Sequence, residues 1–161
     1  MPTKPNIHKL LIALILLIAF DSQAQKTKVY KIGQLTNRIF NNSDTTYIVN
    51  FWATWCKPCV AELPEFEKLN KNFKSKKVKV ILVSMDFKEE LNKKLKTFLT
   101  KNKYSCEVIL LDEINGNDFI NQISESWSGA IPATLITKKN KTQNEFIEKK
   151  VTYDFLAEKI K

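Results

Sequence analysis

The junction between residues 46 and 73 constrains this chain more than any other stretch. Residues 46–53 (TYIVNFWA) are β-branched and aromatic and too few for a helix, so they predict a buried strand. Two residues later come Cys56, Lys57, Pro58 and Cys59. From there apolar residues recur at Val60, Leu63, Phe66, Leu69 and Phe73, the three-and-four spacing of a helix over 57–73. Pro64 falls inside that helix, where its missing N–H removes a hydrogen bond and predicts a kink. A strand thus passes almost directly into a helix, with two thiols at the turn.

The rest of the chain repeats the alternation. Residues 28–32 read as a short edge strand and 35–40 as a helical turn. A second central strand is predicted over 78–85 (VKVILVSM). An amphipathic helix follows, carrying Leu91, Leu95, Phe98 and Leu99, and then a strand over 107–111 (EVILL). A short helix over 117–127 would turn Phe119, Ile120 and Ile123 inward. Strands over 132–137 and 145–149, joined by a polar turn over 138–144, lead to a closing helix over 153–160 capped by Thr152. Strands separated by helical segments point to βαβ units and a mostly parallel sheet.

The N-terminal residues read differently. Lys4, His8 and Lys9 precede an unbroken apolar run of eleven residues, 10–20, and then Ser22-Gln23-Ala24. This is the pattern of a secretory signal peptide over 1–24 with cleavage after Ala24, leaving a domain over 25–161. The alternative is a retained membrane anchor, which an eleven-residue run is short to provide, since a span needs about 20. The same loss of two lysines and one aspartate would take the net charge from +9 to +8. The remaining lysines are spread along the chain and Arg38 is the only arginine, so solvated faces are expected and no nucleic-acid partner.

Cysteine chemistry narrows the function. After removal of His8 the chain would hold Cys56, Cys59 and Cys106 and no histidine, too few ligands for a structural zinc site. Attachment of a c-type haem needs histidine directly after the second cysteine, and that residue is Val60. Neither metal nor cofactor is therefore expected. A purely structural disulfide across so short a loop would constrain little of the unfolded chain. A redox role fits better. A thiolate at Cys56 would meet free N–H groups and the positive end of the helix, lowering its pKa. Lys57 adds positive charge, Pro58 suits the first helical turn, and Cys59 lies one turn on, placed to attack a mixed disulfide at Cys56. Cys106 reads as a small buried residue, with a third redox thiol as the alternative.

The stretch NFWATWCKPCVAELP resembles the active site of the thioredoxin superfamily, and in particular its exported TlpA/ResA-like branch. A second mark is Gly129-Ala130-Ile131-Pro132-Ala133-Thr134. The resemblance implies an α/β, thioredoxin-like fold, a central mixed sheet flanked by helices on both faces. It implies a cis peptide before Pro132, facing the dithiol, with the Ile131 backbone pairing with a substrate chain. Trp55 would cover the nucleophile and offer apolar surface, while Trp52 packs and Trp127 lines the groove or joins the core. Thioredoxins carry a buried aspartate where this chain has Asn50, so that proton acceptor is absent. Glu62 matches an acidic residue that relatives keep near the dithiol, and would exchange a proton with Cys59. A solvated first-turn glutamate is the alternative.

On this resemblance the chain is an exported, periplasmic thiol–disulfide oxidoreductase. It would reduce disulfides in protein substrates, such as the cysteines needed for cytochrome c maturation, and be restored by a membrane electron donor. Two rival activities remain. A dithiol oxidase or isomerase would differ in its reduction potential. A thiol peroxidase wants threonine three residues before its cysteine, where this chain has Ala53; Thr54 is one residue off and should point away.

Overall fold

The computed structural model describes residues 27–41, 43–74, 76–138 and 143–160. The predicted signal segment and most of the 138–144 turn lie outside them. The ordered elements are β1 (Lys28–Tyr30), α1 (Ile32–Ile39), β2 (Thr46–Trp52), α2 (Lys57–Asn72) and β3 (Val78–Ser84). A 3₁₀ turn (Lys88–Glu90) and a π turn (Leu91–Leu95) lead into α3 (Lys96–Asn102). Then come β4 (Glu107–Leu111), a 3₁₀ turn (Gly116–Asp118), α4 (Ile120–Ile123), β5 (Ala133–Lys138), β6 (Gln143–Ile147) and α5 (Tyr153–Lys159).

Six strands form one mixed sheet in the order β1-β4-β3-β2-β5-β6. The first four run parallel, β5 pairs antiparallel with β2, and β6 antiparallel with β5. β2 is buried along its whole length, because the sheet is covered on both sides. Its alternate residues enter separate cores. Ile48 and Trp52 pack with Leu63, Phe66 and Leu69 of α2 and Leu156 of α5. Tyr47, Val49 and Phe51 pack with Leu35 and Ile39 of α1, Ile123 and Trp127. The predicted fold class is the one observed.

Element limits differ from expectation where side chains compete for the backbone. The turn expected over 35–40 is a full helix from Ile32, whose first amide donates to the Glu113 carboxylate at 2.7 Å. This start also shortens β1. The helix expected over 117–127 stops at Ile123: Ser124 turns extended and its Oγ accepts the Ser126 amide at 3.3 Å, a local bond that replaces the helical one. Phe119 and Ile123 are still buried. α2 runs unbroken through Pro64. β5 begins at Ala133, since Pro132 has no N–H to donate to the ladder. β6 ends at Ile147 rather than residue 149 because Glu148 turns away to bond the loop before Pro132. Thr152 caps α5 as expected, accepting from the Phe155 amide at 3.4 Å. Among the described residues no helix is long and apolar enough to cross a membrane.

Candidate active site

The dithiol sits where β2, the central strand of the sheet, hands over to α2. Cys56 is the N-cap of α2, and its Sγ accepts the Cys59 amide at 3.3 Å. A thiolate at this atom therefore meets an aimed N–H and the positive end of a 16-residue helix. Cys56 and Cys59 are joined as a disulfide, with Cα atoms 5.3 Å apart. Cys59 is fully buried and Cys56 is 6% exposed, so Cys56 is the more open residue of the two. Lys57 and Pro58 are exposed beside it, and Trp55 projects into solvent at 64% exposure. Trp52 instead packs inside, against Phe98 with ring centres 5.2 Å apart.

The turn between β2 and Cys56 is held by Asp86, which follows β3. Its carboxylate accepts from the Thr54 amide at 3.2 and 3.1 Å and from Thr54 Oγ1 at 2.6 Å. Ser84 Oγ in turn donates to Asp86 at 2.7 Å. The Thr54 hydroxyl is thus committed to Asp86. Asp86 is a structural member of the site that the sequence reading missed; a single aspartate after an apolar strand carries no signal of its own.

The second mark is also in place. The Ile131–Pro132 peptide is cis, and the Ile131 carbonyl oxygen lies 3.8 Å from Cys56 Sγ. Gly129 has φ +93°, a conformation open to glycine, and a Cβ there would come within 3.0 Å of Ile120. Trp127 is 4% exposed and belongs to the core, its ring 4.6 Å from Phe51 and 5.5 Å from Phe146. Its indole N–H donates to the Ala130 carbonyl at 2.9 Å, supporting the loop from beneath.

Glu62 is fully buried, not a solvated first-turn residue. It lies one helical turn past Cys59, on the same face of α2. Oε1 accepts from Asn50 Nδ2 at 2.8 Å and Oε2 from the Val151 amide at 2.9 Å. Burial pushes its carboxyl above the ordinary carboxylate range, against the lowering pull of the Val151 amide, Asn50 and Lys150. Asn50 also reaches Ala133 O and Thr134 Oγ1, at 3.4 and 3.3 Å, while its Oδ1 is buried without a partner. So the asparagine at the thioredoxin aspartate position links Glu62 to the strand that follows Pro132.

Cys106 is a free, fully buried thiol donating to the Phe66 carbonyl at 3.6 Å. Burial, with the nearby Glu67 carboxylate, pushes it well above the usual thiol range. With the pair oxidised, an aromatic thiol reagent should find no reactive cysteine in the native protein and one after unfolding in guanidinium. One rapid equivalent in the native state would contradict this burial. Two clefts of about 410 and 530 Å³ lie elsewhere, one along Ile123–Ser126 and Phe146, the other beside Pro64 and Lys68. Neither cleft is lined by the dithiol, whose exposed neighbours are Trp55, Lys57 and Pro58.

A buried parallel core, an N-cap dithiol and a cis-proline loop against its first sulfur define a thiol–disulfide oxidoreductase of thioredoxin-like fold. Comparison with known proteins gives the family. A family model described as the AhpC/TSA family matches residues 18–146, and the chain belongs to it. It is 24% identical to the thiol–disulfide oxidoreductase ResA of Oceanobacillus iheyensis over a 170-residue alignment, covering 95% of this chain and 83% of ResA. A sporulation thiol–disulfide oxidoreductase of Bacillus subtilis is 30% identical over 69 residues, 43% of this chain and 42% of that protein. Among solved structures, StoA of Bacillus subtilis superposes with a TM-score of 0.59 at 22% identity, over 75% of this chain and 86% of StoA. A thioredoxin-related protein of Neisseria meningitidis gives 0.62 at 24% identity, over 73% of this chain and 84% of that one.

Proposed function

We propose that this protein is exported and reduces disulfides in polypeptide substrates. The Cys56 thiolate attacks one sulfur of the substrate disulfide, forming a mixed disulfide and releasing the first substrate thiolate. Cys59 then attacks Cys56 Sγ, the second substrate thiolate leaves, and the Cys56–Cys59 disulfide remains. Two electrons have passed to the substrate, and a dithiol donor at the membrane returns them. Trp55, Lys57 and Pro58 form the rim met by the substrate, and Ile131 and Pro132 present backbone for it to pair with. Glu62 supplies and removes the proton of Cys59. Periplasmic apocytochrome c is a fitting substrate, as an unfolded chain with paired cysteines.

The observation that carries this reading is the approach of the Ile131 carbonyl to within 3.8 Å of Cys56 Sγ. A chain paired with Ile131 would lay its own cysteine against the sulfur that attacks. The thiol peroxidase reading is less well supported, because Ala53 offers no hydroxyl and that of Thr54 is bound to Asp86. Export, by cleavage after Ala24 or by a retained anchor, is supported by the N-terminal pattern of a basic start, an apolar run and small residues before the cut.

The reduction potential of the pair tests the direction, by equilibration against graded thiol–disulfide buffers. A value of roughly −270 mV or lower is expected for a reductase. One near roughly −120 mV would mark an oxidant and overturn the assignment.

A further inference from the structure

Glu148 lies outside the dithiol motif and outside the predicted site, yet its carboxylate gathers three donors from one loop. The Ser128 amide donates to Oε2 at 3.1 Å and the Ala130 amide to Oε1 at 3.0 Å; the Ser128 hydroxyl donates to Oε1 as well. These residues lead directly into Ile131 and Pro132. The strand register brings the two close: Ile147 pairs with Thr134, so Glu148 leaves β6 at the end of β5 that the loop through Pro132 enters. The same bonds, the Ser128 hydroxyl first, hold the Glu148 carboxyl below the ordinary range. On the other side of the loop the Trp127 indole fixes the Ala130 carbonyl.

We propose that Glu148 is a positioning residue for substrate docking, holding residues 128–131 in the shape that presents the Ile131 backbone to an incoming chain. It touches neither sulfur. Its work is to order the loop before the substrate arrives, so that binding does not bear that entropic cost. A carboxylate suits the task because amide N–H groups bond more strongly to a charged acceptor than to a neutral one.

The inference rests on protein disulfides being the substrates, and a comparison of two substrates tests it. Insulin must dock on the loop; a small aromatic disulfide, dithiobis(nitrobenzoate), needs only the sulfur. In Glu148→Ala, KM for insulin should rise about tenfold, the worth of one charge-assisted hydrogen bond, with kcat little changed. The rate with the small disulfide should stay within about twofold of wild type, as expected where only docking is lost. Glu148→Gln, which keeps one acceptor oxygen, should recover part of the KM. An unchanged KM for insulin overturns the proposal. So does an equal loss on both substrates, because Val151, three residues on, donates to Glu62 and a merely loosened connector would disturb the chemistry too. The direction of electron flow is read separately, from the wild-type potential. If that potential marks an oxidant, the same split is measured with reduced insulin chains as the docked substrate, so failure of one reading does not imitate failure of the other.

Discussion

Replacing Cys56 with serine should lower turnover of a protein disulfide by roughly three orders of magnitude or more, as expected when the attacking atom itself is lost. Replacing Cys59 should have a different signature. Cys56 is the N-cap whose sulfur receives the Cys59 amide, and a backbone N–H survives any side-chain change at residue 59. Cys59→Ser therefore keeps an activated attacker but has no thiol to release the substrate. It should accumulate a mixed disulfide with stoichiometric substrate, visible by mass spectrometry and reversed by dithiothreitol. The burial of Cys59 beside the more open Cys56 sets this order of attack. If Cys56→Ser were the variant that trapped substrate, the two roles would be reversed.

The second large effect is at Glu62, where stability and rate should move in opposite directions. Its folded pKa is raised above the unfolded value, so its contribution to stability is fully present below the unfolded pKa and is lost as pH rises through the folded one. Glu62→Gln removes that loss. Asn50 Oδ1 is buried without a partner, so a turn of the Asn50 amide would let it accept from the new amide, while the Val151 N–H keeps an acceptor oxygen. Urea unfolding of the oxidised protein should show wild type and variant alike below about pH 4, where the wild-type carboxyl is neutral. The variant should gain relative stability toward pH 8. Resolution of the mixed disulfide should slow by about 100-fold, in the range of lost general acid–base help, and its pH profile should lose an inflection. An unchanged rate at every pH would leave Glu62 a purely structural group.

Much of this was legible in the chain. Strands 46–52, 78–84 and 107–111 carry near-continuous apolar runs because both faces of a parallel sheet are covered, and they appear within a residue of where they were expected. The dithiol was readable because a strand, two cysteines and a helix are adjacent in sequence. What escaped depends on distant residues. Glu62 meets the amide of Val151, 89 positions away, and Thr54 meets Asp86, 32 positions away. Burial of Glu62 could be guessed only from likeness to other proteins, because a lone glutamate near the start of a helix ordinarily faces water; the structure sets it in the second turn of α2, on the buried face. The early end of the 117–127 helix has a local cause, a serine hydroxyl competing for backbone. Serines in such a position are too common to predict from.

The buried third cysteine bears on how electrons are counted. Cys106 contacts Phe66, seven residues along α2 from Cys59, which is about 10 Å at 1.5 Å per residue. The strand register puts Glu107 beside Ile81 and Val49, whereas the dithiol lies past Trp52 at the far end of β2, so Cys106 and the pair stand at opposite ends of the sheet. An odd number of thiols nevertheless makes an even carrier. Each visit to a substrate moves two electrons or none. No third sulfur can divert a half-finished exchange or tether one copy of the chain to another.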